Sequence, residues 1–131
     1  MKLTRLLGLV AAGIAYANIA AHAAEYPSRP VELVPAGAPG GGLDLTARAL
    51  ESALRETKLF SQQFVIKNMG GAGGNLAKTY INQKKGDPHF LYVESNRIYL
   101  NRIVGTTQLT YTDVTPLGRL TTEYLVWVVR A

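Results

Sequence analysis

The sequence predicts an α/β layered sheet of mostly parallel strands with flanking helices, and three observations carry that reading. Short apolar runs at Val31–Ala36, Phe64–Lys67 and His89–Glu94 alternate with segments of helical period. Two glycine clusters, Pro35–Gly42 and Gly70–Gly74, each separate such a run from the helix-like stretch that follows. The predicted order, β-α-β-α-β-α-β-β, joins parallel strands through right-handed crossovers.

Each element has a local reason. Tyr26-Pro27-Ser28-Arg29-Pro30 is an extended lead-in, because both prolines disfavour helix. Val31–Ala36 is apolar on both faces, the pattern of a strand buried inside a parallel sheet. After the first glycine cluster, Leu43, Ala47, Leu50 and Leu54 recur at helical spacing, with Asp44 where a carboxylate caps orphan N–H groups and Lys58 near the end. Phe64–Lys67 is the second strand. Asn75–Lys85 is the second helix, closed by Gly86-Asp87-Pro88. His89–Glu94 is the third strand and a short helix follows near Arg97–Val104. Thr115–Leu120 and Tyr124–Val129 read as two more strands. The second of these is so apolar that it demands cover on both faces, and its natural continuation is another crossover. The chain is therefore read as a truncated portion of a larger protein.

The amino terminus reads as an export signal. Lys2 and Arg5 precede an uncharged apolar stretch, Leu6–Ala20, and Ala21-His22-Ala23 matches a small-x-small cleavage site. A stretch of roughly fifteen residues is short for a membrane span, which needs about 20. Cleavage is expected after Ala23 or Ala24. It would leave residues 24–131 as one incomplete domain, exported to the periplasm.

Composition narrows the chemistry. The net charge of +5 falls to about +3 once Lys2 and Arg5 leave, compatible with acidic ligands but too diffuse for nucleic acid. With no cysteine, disulfides, thiolate catalysis and zinc–thiolate sites are excluded. His89 is the only histidine beyond the signal, so nucleophilic triads and zinc sites lack parts. No enzyme activity, metal or cofactor is expected.

The glycine clusters are the chemical feature. A glycine-rich turn from strand to helix presents backbone N–H groups at the positive end of a helix, where an anion can sit. Gly37–Gly42 has the first half of a P-loop, but Leu43 and Asp44 replace its Lys and Ser/Thr. Gly71-Ala72-Gly73 with Glu94 approaches a dinucleotide fingerprint, but Leu76 stands in place of the third glycine. A small carboxylate fits better, since two or three N–H donors satisfy it. Ala38, Gly40, Gly41, Gly42, Asp44 and Thr46 would form one rim, Asn68, Gly71, Ala72 and Gly73 a second, and Ser95 with Asn96 a third. Most of these residues also have a purely local use, as turn formers or caps.

These residues resemble a known family. Tyr26–Val31, Val34–Gly37, Gly41–Asp44 with Ala47-Arg48, Asn68–Gly74 and Asp113–Leu117 are similar to motifs of Bug-type receptors, the periplasmic substrate-binding proteins of tripartite tricarboxylate transporters. The resemblance implies the N-terminal lobe of a two-lobed, non-enzymatic protein that closes on a small carboxylate and delivers it to membrane permease subunits. It implies ligand-facing loops at Ala36–Asp44 and Asn68–Gly74, with Ser95 and Asn96 at a further turn. Two departures stand out. Gly70 follows Met69 where the family usually has proline, and the chain is about half the family's mature length. A monomer that binds no nucleic acid is expected. The rival readings are a fragment of a dinucleotide-binding oxidoreductase and a non-functional remnant.

Overall fold

The computed structural model describes residues 26–124, 126 and 128–130. The expected export signal, residues 1–23, and its cleavage site lie outside the described residues. The elements run β1 (Val31–Pro35), α1 (Gly42–Thr57), β2 (Phe64–Ile66), α2 (Asn75–Asn82), β3 (Phe90–Val93) and α3 (Arg97–Ile103). Single 3₁₀ turns lie at Ala72–Gly74 and Tyr111–Asp113.

The three strands form one parallel sheet in the order β2-β1-β3. Val31 pairs with Phe64 on one side of β1, and Glu32 with Phe90 on the other. The central strand is the most buried: Val31, Leu33 and Val34 are fully enclosed, as its unbroken apolar run requires. Each such side chain contributes about 1.5–3 kcal/mol relative to exposure. Val34, Ala36 and Ala77 form the core beneath α2, with Leu43, Met69, Tyr80, Ile81 and Tyr92 packed around them. On α1, Ala47 is buried and Leu43, Leu50 and Leu54 are partly covered, the face set by their spacing.

The predicted elements are found with shifted ends. β1, β2 and β3 stop one residue earlier than expected, and α2 ends at Asn82 rather than Lys85. Gln83 and Lys84 there continue as a tightening turn onto Thr79 and Ile81. α1 runs to Thr57, where Lys58 takes the left-handed conformation (φ +52°) that ends the helix.

Two predicted strands do not form. Thr115–Leu120 is irregular, and so are Tyr124, Val126, Val128 and Val129, while Leu125 and Trp127 lie outside the described residues. Tyr124, Val126, Val128 and Val129 are 83–93 % exposed. An apolar pattern expresses a need for burial but not a partner. A parallel strand exists only when a neighbour accepts its ladder, and none of the described strands does so here.

The lower end of the sheet is closed by the lead-in. Tyr26 donates its hydroxyl to the Pro88 carbonyl (2.9 Å) and stacks near Phe60 and His89. His89 is buried, with Nδ1 3.0 Å from Asp87 Oδ1 and Nε2 3.3 Å from Ser28 Oγ. It is a structural fastener at the end of the sheet opposite the glycine loops.

Candidate functional site

All three strands point their carboxyl ends at one edge, and the loops leaving them meet there. Ligands of open α/β sheets occupy this position. The first loop, Ala36–Gly41, leaves β1 and enters α1. Its N-cap is Gly41, which carries no side chain to cap the helix. Leu45 makes the first intrahelical bond, from its N–H to the Gly41 carbonyl (3.0 Å). The N–H groups of Gly42, Leu43 and Asp44 precede that bond and are the orphan donors of the helix.

Asp44 is not the expected cap. It occupies the third helical position, and its buried carboxylate reaches backwards and sideways instead. Oδ2 accepts from the Gly40 N–H (2.8 Å) and from Arg48 Nε (3.0 Å), and Oδ1 accepts from Asn68 Nδ2 (3.0 Å). Arg48 does most to hold the carboxyl down to about 2, the Gly40 N–H adds to it, burial opposes it, and Asn68 contributes less. With its oxygens so engaged, Asp44 is a brace between the first and second loops. Sequence reasoning identified the residue and missed this use, because Asn68 is distant in sequence.

The second loop lies directly against the first. Met69 N–H donates to the Pro35 carbonyl (3.1 Å), and a Cβ on Gly70 would stand 3.0 Å from the Ala38 nitrogen. Glycine at position 70 therefore suits the close approach of two backbones. Ala72 (φ +46°) and Gly73 (φ +64°) are both left-handed and exposed, and Asn101 holds them from below through Nδ2 to the Gly73 carbonyl (2.8 Å).

The third loop is tied in by Glu94, whose side chain is 4 % exposed. Oε2 accepts from the Tyr92 hydroxyl (2.5 Å), and Oε1 from the Ser95 N–H (2.9 Å) and Arg97 Nη2 (3.1 Å). Burial and the adjacent Glu94 carboxylate push the Tyr92 phenol well above its ordinary value. Arg97 Nη2 also donates to the Ala36 carbonyl (2.9 Å), joining the third loop to the first. Gly74 sits on the same carboxylate, for its Cβ would fall 2.5 Å from Oε2. An acid so occupied is not free for the ribose hydroxyls that a dinucleotide site requires.

Of the residues expected to bind, Ala38, Gly40, Gly41, Gly42, Gly71, Ala72, Gly73 and Asn96 lie exposed on the three loops. Asn68 and Ser95 are partly buried and engaged in the links between loops. Thr46 is drawn elsewhere: its hydroxyl bonds back to the Gly42 carbonyl (2.9 Å). It lines a cavity of about 400 Å³ with Leu45, Ala49, Leu50, Leu120 and Thr121, none of which is among the other candidates. Arg97 is the polar group missed. Its signal was an acid at the exit of a strand with arginine three residues on. Among the described residues no three His, Asp or Glu gather as a metal ion would need.

A parallel open sheet whose loops converge at the carboxyl edge has the architecture of an α/β ligand-binding lobe. No family model matches the chain, but individual proteins do. It is 35 % identical to BugT of Bordetella pertussis over 98 residues, covering 73 % of this chain and 29 % of that protein. It is 41 % identical over 63 residues to a UPF0065 protein encoded in the TAR-I ttuE-ttuC' intergenic region of Agrobacterium vitis, covering 48 % and 17 %. Among solved structures, a TctC solute-binding protein from Polaromonas superposes with a TM-score of 0.61 at 28 % identity, over 66 % of this chain and 30 % of that one. A periplasmic transporter gives 0.57 at 28 % identity, over 66 % and 28 %. The chain belongs to the Bug-type family of periplasmic solute-binding proteins, and it spans less than a third of the length of these relatives.

Proposed function

We propose that this chain is the first lobe of an exported, non-enzymatic binding protein that captures a small carboxylate in the periplasm for a tripartite tricarboxylate transporter. The observation that carries the reading is the welded rim. Three loops meet through Asp44, Asn68, Gly70 and Glu94, and the uncapped N–H groups of α1 lie where the first of them enters the helix. Neutral N–H donors suit a carboxylate, because they match its lone pairs and lie at the positive end of a 16-residue helix. Because the links are side chain to carboxylate or backbone to backbone, the donors are already in place before a ligand arrives. Binding then costs little ordering of the loops. Delivery to permease subunits is the partner role that family membership supports.

Thermal melts of the full chain against a panel of mono-, di-, tricarboxylic and aromatic acids test this. At a ligand concentration of about 100 times Kd, binding stabilises by about 2.7 kcal/mol, a Tm rise on the order of 10 °C for a domain of this size. No shift with any acid overturns the reading. Saturable binding of NAD instead would favour an oxidoreductase.

A further inference from the structure

We infer that Arg97 is the specificity-determining residue of this rim and that it selects acids carrying a second carboxylate. The inference rests on reading the rim as a carboxylate site. Arginine has five N–H donors in one plane. Nε donates to Ser95 Oγ (3.2 Å), and Nη2 donates to the Ala36 carbonyl (2.9 Å) and to Glu94 Oε1 (3.1 Å). The two donors on Nη1 have no partner among the described residues.

Three features turn this leftover into a site. First, the guanidinium is tethered at the exits of both β1 and β3, so its free donors are held in place and little side-chain entropy remains to be lost on binding. Second, the pair is asymmetric: the Arg97 side chain is 37 % exposed and that of Glu94 only 4 %. Glu94 spends its oxygens on Tyr92, Ser95 and Arg97, so an approaching anion meets the cation and not the acid. Third, the first loop supplies neutral backbone donors, which suffice for one carboxylate. The charged group belongs to a different loop, at the exit of β3, and so adds a second anchoring point to the rim. A brace needs only the three bonds already made; the unused, exposed half of the fork is what a brace does not require.

Propionate and succinate differ by one carboxylate and serve as probes, with calorimetry on the full chain and on R97Q and R97K. The wild type is expected to bind succinate about tenfold tighter than propionate, the scale of one charge-assisted contact. R97Q should abolish that preference, weakening succinate about tenfold more than it weakens propionate. R97K should keep part of the preference, because it retains charge without the fork. Equal weakening of both acids by R97Q, or a lowered melting temperature with the preference intact, makes Arg97 a brace and overturns the inference. If R97Q fails to fold, an undiminished preference in R97K overturns it as well. Propionate bound without any preference for succinate sinks the inference and leaves the carboxylate site standing, whereas binding of neither acid by the wild type removes both.

Discussion

A methyl group at Gly74 would meet the Glu94 carboxylate, and this makes Gly74→Ala an informative perturbation of the rim. Two costs follow from the structure. The residue has φ +91°, a left-handed conformation that costs alanine about 1–2 kcal/mol. Its new Cβ would also lie 2.5 Å from Glu94 Oε2 and 3.4 Å from Ala36 Cβ. A carboxylate on a flexible stem could usually step aside. This one is held on both oxygens, by Tyr92 at one and by Ser95 and Arg97 at the other. Moving it loses at least one hydrogen bond to a charged group, about 1.5–3 kcal/mol. Together the two give about 2.5–5 kcal/mol, a large share of the 5–15 kcal/mol typical of a domain. Urea unfolding followed by far-ultraviolet circular dichroism would measure it. Gly86→Ala is the control, because Gly86 has φ +87° but nothing within 4 Å of its Cβ, so it carries the backbone cost alone. A double-mutant cycle with Glu94→Ala isolates the clash: Gly74→Ala should cost less once the carboxylate is gone. Equal costs at Gly86 and Gly74, or no coupling to Glu94, would refute the account of the rim given above.

Further expectations concern the brace and the core. The Asp44 carboxyl should titrate near 2, well below its ordinary 3.8, when followed by carbon-13 NMR; a midpoint near 4 would mean that the links to Arg48, Gly40 and Asn68 are not made. Because its folded value is depressed, Asp44 adds stability that is complete above about pH 4 and is lost as pH falls toward 2. Asp44→Asn should flatten that stretch of the stability profile, leaving the smaller slope due to Asp87, which the His89 N–H also holds low. Asn68→Ala removes the donor to Asp44 Oδ1 and should cost about 1.5–3 kcal/mol in urea while weakening carboxylate binding; unchanged binding would show that the second loop is not held by this link. Lys78 is fully buried on α2, and its Nζ has no partner among the described residues. Lys78→Met should therefore raise stability by about 1–3 kcal/mol, as burial of an unsatisfied polar group is relieved; a loss would assign that amine a partner.

Much of the fold was legible because it rests on short-range patterns. The apolar run of β1 announced a strand buried on both faces, and the spacing of Leu43, Ala47, Leu50 and Leu54 announced the face of α1. Each glycine loop was visible as a break between two periods. What failed was the carboxyl-terminal region: Thr115–Leu120 and the described part of Tyr124–Val129 have the composition of strands but no neighbour to complete a ladder. The site was legible to the level of which loops take part. The roles of individual side chains were not. Asp44 looked like a cap, and Glu94 with Arg97 was not read as a pair at all.

The sequence by itself determined the order of the elements as far as α3, the two glycine-rich turns and the exclusion of thiol and triad chemistry. These depend on periodicity, on residues that permit positive φ, and on which reactive groups exist. Only the tertiary structure decided which groups remain available to a ligand. Asp44 is spent on Asn68, distant in sequence, and Glu94 on Tyr92, Ser95 and Arg97, while half of the Arg97 fork is left open. Availability is what remains after a group's neighbours are counted, and two of the deciding ones, Asn68 beside Asp44 and the Ala36 carbonyl beside Arg97, come from distant parts of the chain.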